Sequence, residues 1–207
     1  MVEPLKKVTI YTDGAAEPNP GRGGYGVVIL LRNQRRELSG GFRLTTNNRM
    51  EVLAAILGLE ALDEPSDVTV HSDSQYLVDA IEKGWARRWR AKAWWRNKDH
   101  RAINIDLWER LLGLCETHTV KFVWVRGHSG IRENERADWL SIQSLEDDDL
   151  PPDEGYENRQ PEEKITREGQ PCIRCSTPVI RRTSQKVLSC PTCHLRYRVQ
   201  RQLRKGA

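Results

Sequence analysis

The sequence predicts a mixed α/β fold, a five-stranded sheet flanked by helices, followed by a small basic module. Short β-rich runs come first, and strand-like and helix-like segments then alternate to about residue 144. An acidic stretch follows, and the remainder of the chain is basic and has four cysteines. A chain of 207 residues with 38% hydrophobic content can form one core of about 100–150 residues and one small unit.

The first elements are predicted to be strands. The runs KVTIYT (7–12) and GYGVVILL (24–31) are β-rich, and the glycines and prolines of AAEPNPGRG predict a turn between them. A third strand is predicted over residues 36–44. These runs indicate a hairpin and a neighbouring strand at the start of the sheet.

Helices and strands then alternate. Asn47 or Asn48 can cap a helix whose apolar residues recur at helical spacing from Val52 to Leu62. The run VTVHS (68–72) predicts a buried strand, and SQYLVDAI begins a second helix. A Trp- and Arg-rich stretch, the helical IDLWERLLGL, the strand KFVWV (121–125), the loop RGHSG and a helix around ENERADWLSIQSL complete this part.

Four acidic residues fall where an α/β sheet builds its sites. Asp13 and Asp73 end strands, and Glu51 lies in the first turn of a helix. Asp138 lies on the last helix. A carboxylate at a strand end is more often a turn or capping residue, so these positions alone leave both readings open.

Four runs resemble the successive motifs of type 1 ribonuclease H, in that family's order and close to its spacing: TDGAAEPNPGRGGYGVVI, TTNNRMEVLAAILGLEAL, HSDSQYLVDAI and WVRGHSGIRENERADWLS. The resemblance covers residues 7–143. It implies an RNase H-like fold and an endonuclease that hydrolyses the RNA strand of RNA–DNA hybrids. It also implies two Mg²⁺ ions, with Mn²⁺ as an alternative, and products with 5′-phosphate and 3′-hydroxyl ends.

The resemblance further implies that Asp13, Glu51, Asp73 and Asp138 bind the metal. Two Mg²⁺ ions about 3.5–4 Å apart can stabilise the charge on the attacking and leaving oxygens. Mg²⁺ prefers oxygen ligands, and gathered carboxylates repel one another until a cation binds. His128 matches a loop histidine that orients water or eases product release, although a histidine in a Gly-flanked loop is more often a surface residue.

Neutral polar residues are implied to contact the hybrid. Asn19, Asn47, Asn48 and Gln75 match positions that face the minor groove, where RNA displays its 2′-hydroxyls. Thr46 matches part of a pocket for a DNA-strand phosphate. Asn19 in a turn and Asn47 as a helix cap are the alternatives, and such roles are compatible with binding.

Residues 83–101 contain eight Lys or Arg, one acid and four tryptophans. The stretch resembles the basic protrusion with which some type 1 members hold the hybrid, although it carries a small insertion that leaves the rest of the phosphate pocket undefined. Cations there neutralise phosphates and release counterions. Phosphate contacts are predicted for Arg87, Arg88, Arg90 and Lys92. Trp85 and Trp89, spaced i, i+4, are predicted to pack the protrusion onto the domain.

The C-terminal cysteines have the spacing of a zinc ribbon. Two CxxC pairs, fourteen residues apart, present Cys172, Cys175, Cys190 and Cys193 as a tetrahedral Zn²⁺ site. A reactive dithiol or a disulfide is the alternative, and His194 is a less favoured ligand. A unit of about 40 residues cannot form a self-sufficient core, so the metal supplies much of its folding free energy. Ten basic residues against one acid in 165–207 favour nucleic acid as an additional partner.

Residues 145–164 hold nine acids, two bases and three prolines, which predicts a disordered linker. The predicted organisation is a catalytic domain (1–144), a linker (145–165) and a basic module (166–207). No segment reaches about 18 consecutive apolar residues, and paired CxxC motifs suit a reducing compartment. We therefore expect a soluble, cytoplasmic monomer without membrane contact.

Three other classes fit less well. A non-catalytic hybrid-binding module should lack a metal carboxylate, and all four are present. An integrase-like enzyme of the same superfamily shares the acidic strand ends but not TTNNRMEVLAA or GHSGIRENERAD. A transcription-type zinc-ribbon protein leaves residues 1–144 unexplained.

Overall fold

The computed structural model describes residues 4–32, 34–97, 100–159, 168–172, 177–181, 187–194 and 196–198. The chain divides into two compact units. The first comprises Met1–Trp94 and Ala102–Arg159, and the second comprises Trp95–Arg101 and Gln160–Ala207. Within the described ranges, no helix has the length and apolar character needed to cross a membrane.

The first unit is built on a five-stranded mixed sheet, as predicted. Its strands are β1 (Lys6–Glu17), β2 (Gly21–Leu31), β3 (Gln34–Thr45), β4 (Ser66–Ser72) and β5 (Thr119–Trp124). The spatial order is β3-β2-β1-β4-β5. The pairs β1–β2 and β2–β3 are antiparallel, whereas β1–β4 and β4–β5 are parallel.

The turn between β1 and β2 is shorter in the structure than the sequence predicted. Ala15 and Ala16 continue β1 and pair with Gly24 and Gly23 of β2, so only residues 18–20 connect the strands. Small residues are weak strand formers, but ladder pairing within the sheet overrides that local preference.

The helices of the first unit cover both faces of the sheet. They are α1 (Asn47–Glu60), α2 (Gln75–Glu82), α3 (Trp85–Ala91), α4 (Ile105–Thr117), α5 (Arg132–Gln143), a 3₁₀ turn (Ser144–Glu146) and α6 (Glu154–Glu157). Val27 and Ile29 of β2 belong to the main core with α1 and α4. Val28 points to the opposite face and packs with Ala137 and Leu140 of α5.

Helix α1 begins differently from the prediction. Its N-cap is Thr46, whose side chain makes no capping hydrogen bond, and neither Asn47 nor Asn48 is the cap. The helix ends at Glu60, before Leu62. The residues of its second turn are buried on all sides of the helix.

The predicted linker is ordered in its described part, residues 145–159. Asp153 is only 4% exposed and accepts hydrogen bonds from Arg49 Nε at 2.7 Å and Thr45 Oγ1 at 2.6 Å. Tyr156 of α6 is buried, and Glu157 pairs with Arg43. Composition predicted disorder because it does not reveal that basic partners from β3 and α1 neutralise this acidic segment. Residues 160–165 lie outside the described residues.

The second unit has a three-stranded antiparallel sheet. Its strands, β6 (Ile180–Arg181), β7 (Val187–Ser189) and β8 (Arg196–Arg198), lie in that order. Cys172, Val179, Leu188 and Cys190 form its buried cluster. We call the described part of residues 168–198 the cysteine module. Cys175 lies outside the described residues.

Candidate active site

Three of the predicted metal ligands converge at one end of the sheet. The register pairs Thr12 of β1 with Ser72 of β4, so Asp13 and Asp73 directly follow the last paired residues of these adjacent parallel strands, at the same end of the sheet. Asp13 was predicted to end its strand, but β1 continues to Glu17 because it remains paired with β2. Glu51 approaches from the second turn of α1, and not from the first turn as predicted, because the helix already begins at Asn47. Oxygen atoms of Asp13, Glu51 and Asp73 all lie within 4.8 Å of one another.

Glycines allow the helices to contact the sheet backbone directly. A Cβ atom at Gly14 would lie 2.2 Å from the Glu51 backbone nitrogen. A Cβ atom at Gly26 would lie 1.9 Å from the Ala137 carbonyl oxygen. These glycines therefore hold Glu51 and the neighbouring Asp138 near the end of β1.

Asp138 lies beside this group on α5. Its negative charge is close enough to contribute to a raised pKa of Asp13. It is not in the set of described ligand atoms that lie within 4.8 Å of one another, so the structure gathers three of the four predicted carboxylates most closely. The Ser141 hydroxyl donates a hydrogen bond to Asp13 Oδ2 at 2.6 Å and fixes that carboxylate against α5.

The electrostatics of the group favour a cation. Burial is the largest cause that raises the pKa of Asp13 to about 6, and the charges of Asp73 and Asp138 add to it. Burial and the charges of Asp13 and Asp73 hold the pKa of Glu51 well above its usual range. Among the described residues, none donates a hydrogen bond to the buried Glu51 Oε2. Carboxylates in such surroundings gain stability from a divalent ion with oxygen ligands, so the residues fit Mg²⁺.

His128 lies on the loop before α5. Its side chain is 81% exposed, and its Nδ1 is 3.8 Å from Asp138 Oδ2. The backbone of the same loop approaches Asp73, because a Cβ atom at Gly127 would lie 2.8 Å from Asp73 Oδ2. The loop thus places a solvent-accessible imidazole beside the carboxylates.

Two of the predicted hybrid-binding asparagines meet at the start of α1. Asn19 Oδ1 accepts a hydrogen bond from the Asn47 backbone nitrogen at 3.3 Å, and Asn47 Nδ2 donates to Glu51 Oε1 at 3.3 Å. Asn48 is exposed, and Thr46 keeps its hydroxyl unused by the helix cap. Gln75 is exposed at the start of α2. Asn47 contacts the carboxylate group directly at Glu51, and Gln75 begins α2 two residues after Asp73.

The basic stretch divides into packing and charged residues. Trp89 is buried and lies 5.9 Å from Trp108 and 6.5 Å from Trp85 between ring centroids, which confirms the predicted packing. Arg87, Arg88 and Lys92 are exposed. Arg90 forms ion pairs with Glu109 and Glu116, so acids of α4 compete with any phosphate for its charge.

Sequence reasoning missed two supporting residues. Ser141 follows Asp138 by three positions on α5, a helical spacing that could have indicated a shared face. Arg49 is buried and binds both Asp106, at 2.7 Å, and Asp153. The sequence feature that could have indicated this role is a basic residue directly before the apolar part of the helix.

The second unit holds a separate candidate metal site. Sγ atoms of Cys172, Cys190 and Cys193 lie within 4.8 Å of one another. The Tyr197 hydroxyl is 3.0 Å from Cys172 Sγ, and the Cys193 backbone nitrogen donates to Cys190 Sγ at 3.5 Å. Thiols surrounded by hydrogen-bond donors fit a zinc thiolate site.

The fold and the first site define a class: a mixed α/β hydrolase with a carboxylate site for a divalent cation and polar and basic side chains suited to a polyanion. The RNase H family matches residues 5–146. Ribonuclease H of Syntrophus aciditrophicus is 62% identical over 154 residues, which cover 74% of this chain and 89% of that protein. Ribonuclease H of Trichodesmium erythraeum is 57% identical over 157 residues, which cover 76% of this chain and all of that protein.

Among solved structures, LC9-RNase H1, a type 1 RNase H with the type 2 active-site motif, aligns with a TM-score of 0.62 and 28% identity over 70% of this chain and 74% of that chain. The chain belongs to the RNase H family, and its relatives are of type 1.

Proposed function

We propose that this protein is a Mg²⁺-dependent endoribonuclease that hydrolyses the RNA strand of RNA–DNA hybrids and leaves 5′-phosphate and 3′-hydroxyl ends. The observation that carries the proposal is the group formed by Asp13, Glu51 and Asp73, whose oxygens lie within 4.8 Å of one another. The family to which the chain belongs, RNase H, supports the same activity. Two ions per site, Mg²⁺ or Mn²⁺, are the proposed occupancy.

Asp13, Glu51, Asp73 and the adjacent Asp138 are the proposed metal ligands. Bound Mg²⁺ supplies Lewis-acid stabilisation of the charge on the attacking and leaving oxygens. Ser141 orients the carboxylate of Asp13, and Asn47 orients that of Glu51. His128, exposed on its loop, transfers protons with solvent or helps the product leave.

The substrate is selected by the surrounding polar and basic side chains. Asn19, Asn47, Asn48 and Gln75 are proposed to contact the minor groove, where the 2′-hydroxyls distinguish RNA from DNA. Thr46 is proposed to contact a DNA-strand phosphate, and Arg87, Arg88 and Lys92 to contact the backbone. Arg90 contributes less than predicted, because acids of α4 already pair with it.

A second proposed cofactor is one Zn²⁺ bound by Cys172, Cys175, Cys190 and Cys193. Support comes from the three described cysteines, whose sulfur atoms lie within 4.8 Å of one another. The basic module is proposed to add contacts to nucleic acid. The two CxxC motifs, whose spacing is that of a metal site, support a reducing, cytoplasmic compartment. All three clustered carboxylates come from one chain, which supports an active monomer.

The decisive experiment incubates the protein with labelled RNA–DNA hybrid, duplex RNA and duplex DNA of one sequence, with Mg²⁺ or with chelator. We expect cleavage of the hybrid's RNA strand only, and only with Mg²⁺. Cleavage of all three duplexes, or cleavage that survives chelation, would contradict the proposal. Metal analysis of the same preparation tests for one Zn²⁺ per chain.

A further inference from the structure

Residues Trp95–Arg101, which we call the tip loop, end the basic stretch and belong to the same compact unit as the C-terminal region. Trp95 packs against the buried cluster that contains Cys172, Leu188 and Cys190. The cluster against which Trp95 packs therefore includes two proposed zinc ligands, Cys172 and Cys190. The cysteine module and the tip loop share one hydrophobic core.

The tip loop is closed on itself. Trp95 and Arg101 form an antiparallel bridge, and the Arg101 guanidinium lies 5.9 Å from the centroid of the Trp95 ring. The Arg96 backbone nitrogen donates to the His100 carbonyl at 2.9 Å, and the His100 nitrogen donates to Asn97 Oδ1 at 2.9 Å. Whatever immobilises Trp95 therefore also restrains Arg96 and Arg101, which are the described arginines of this loop.

The cysteine module needs such a partner. Among its described residues, four side chains form the buried cluster, and two of them are cysteines. Units this small rely on metal or added apolar surface for stability. Trp95 supplies a large aromatic surface from a distant part of the chain and packs against the cluster that contains Cys172 and Cys190.

We propose that metal binding at the cysteine cluster and ordering of the tip loop are coupled through Trp95, so that zinc occupancy sets how firmly the protrusion holds its substrate. The inference rests on the proposed zinc site and hybrid substrate. Zinc folds the module, the folded module receives Trp95, and the loop presents Arg96 and Arg101 in one arrangement. Linkage requires the reverse effect as well, because a loop that cannot dock lowers zinc affinity by the same factor.

The test compares the zinc-loaded and zinc-free full chain by hydrogen exchange at the tip-loop amides. We expect about tenfold slower exchange in 95–101 with zinc. Trp95→Ala should remove this difference and weaken zinc affinity, measured by competition with a chromogenic chelator, by a similar factor. Trp139→Ala, which removes an exposed tryptophan of α5, is the matched control and should change neither quantity.

Hybrid binding gives an independent reading of the coupling. In an Asp13→Asn background, which prevents cleavage, loss of zinc should reduce the slope of log affinity against log salt by about 2, one for each arginine of the tip loop. Equal tip-loop exchange in both metal states, or wild-type zinc affinity in Trp95→Ala, overturns the coupling. A wild-type chain that takes up no zinc instead removes the proposed zinc site itself, while cleavage of the hybrid remains a separate measurement.

Discussion

The two candidate metal sites of this protein rest on very different amounts of structure. The carboxylates of the first unit are fixed by a five-stranded sheet and a buried helix, with a core that extends over both. In the second unit, Cys172 and Cys190 are themselves members of a buried cluster that has four side chains among the described residues. A large core can hold repelling acids together without metal, whereas a small core needs the metal as a structural component.

The strongest test of this difference removes zinc. Structural zinc sites contribute about 10–16 kcal/mol of apparent binding free energy at neutral pH, so the metal-free chain should lose hydrogen-exchange protection in β6–β8 and retain it in β1–β5. Cys190→Ser should reproduce the loss. Cys115→Ser, which alters a cysteine of the first unit, should keep one zinc per chain. Protected β6–β8 amides in metal-free protein would show that the two units do not differ in this way.

Asp13→Asn tests whether the first unit folds without its metal, although its carboxylates repel one another. Cleavage of the hybrid should be nearly abolished, because a metal ligand loses its charge. Metal-free stability should rise by about 1 kcal/mol, a shift of about 2–4 °C in Tm, because one of several repelling buried charges is removed. Asp63→Asn, at an exposed carboxylate, should change neither cleavage nor Tm. A fall in Tm for Asp13→Asn would mean that the carboxylates stabilise the fold without a cation.

Asp153→Ala tests whether the acidic segment that contains Asp153 is a folded part of the first unit. This variant leaves the buried Arg49 with Asp106 as its one carboxylate partner among the described residues, and loss of one partner of a buried ion pair costs about 3–5 kcal/mol. Urea unfolding of the first unit measures the cost. Glu157→Gln weakens the solvent-accessible pair with Arg43 and should cost much less, because such pairs contribute little to stability. Equal stability of the two variants would place residues 147–159 outside the folded unit.

The smallest expected effect is that of His128→Ala. The side chain is 81% exposed, so its removal should leave stability unchanged and reduce kcat by about 10²-fold, the lower range for acid–base catalysis. Single-turnover and steady-state rates on the same hybrid distinguish chemistry from product release. Activity abolished as fully as in Asp13→Asn would give His128 a role equal to that of the metal ligands.

The sequence was most informative where chemistry and local pattern coincide. Asp73 follows the end of β4 as predicted, whereas Asp13 lies inside β1 and Glu51 lies in the second turn of α1. The three carboxylates still meet, because the parallel register of β1 and β4 places Asp13 beside Asp73. Composition failed for residues 145–159, because Asp153 meets Arg49 from 104 positions away. Likewise, nothing local to Trp95 indicates that it packs beside cysteines near the other end of the chain.

Gly14 shows how a residue without a side chain can set the distance between two proposed metal ligands. Its neighbour Asp13 and the facing Glu51 belong to different elements, and only the absence of a methyl group lets those backbones touch. Gly14→Ala would preserve every charge and every donor atom yet widen the gap between the two ligands. The proposed activity therefore depends on the distance between the ligands as well as on their chemical identity, and a list of functional groups does not reveal that distance.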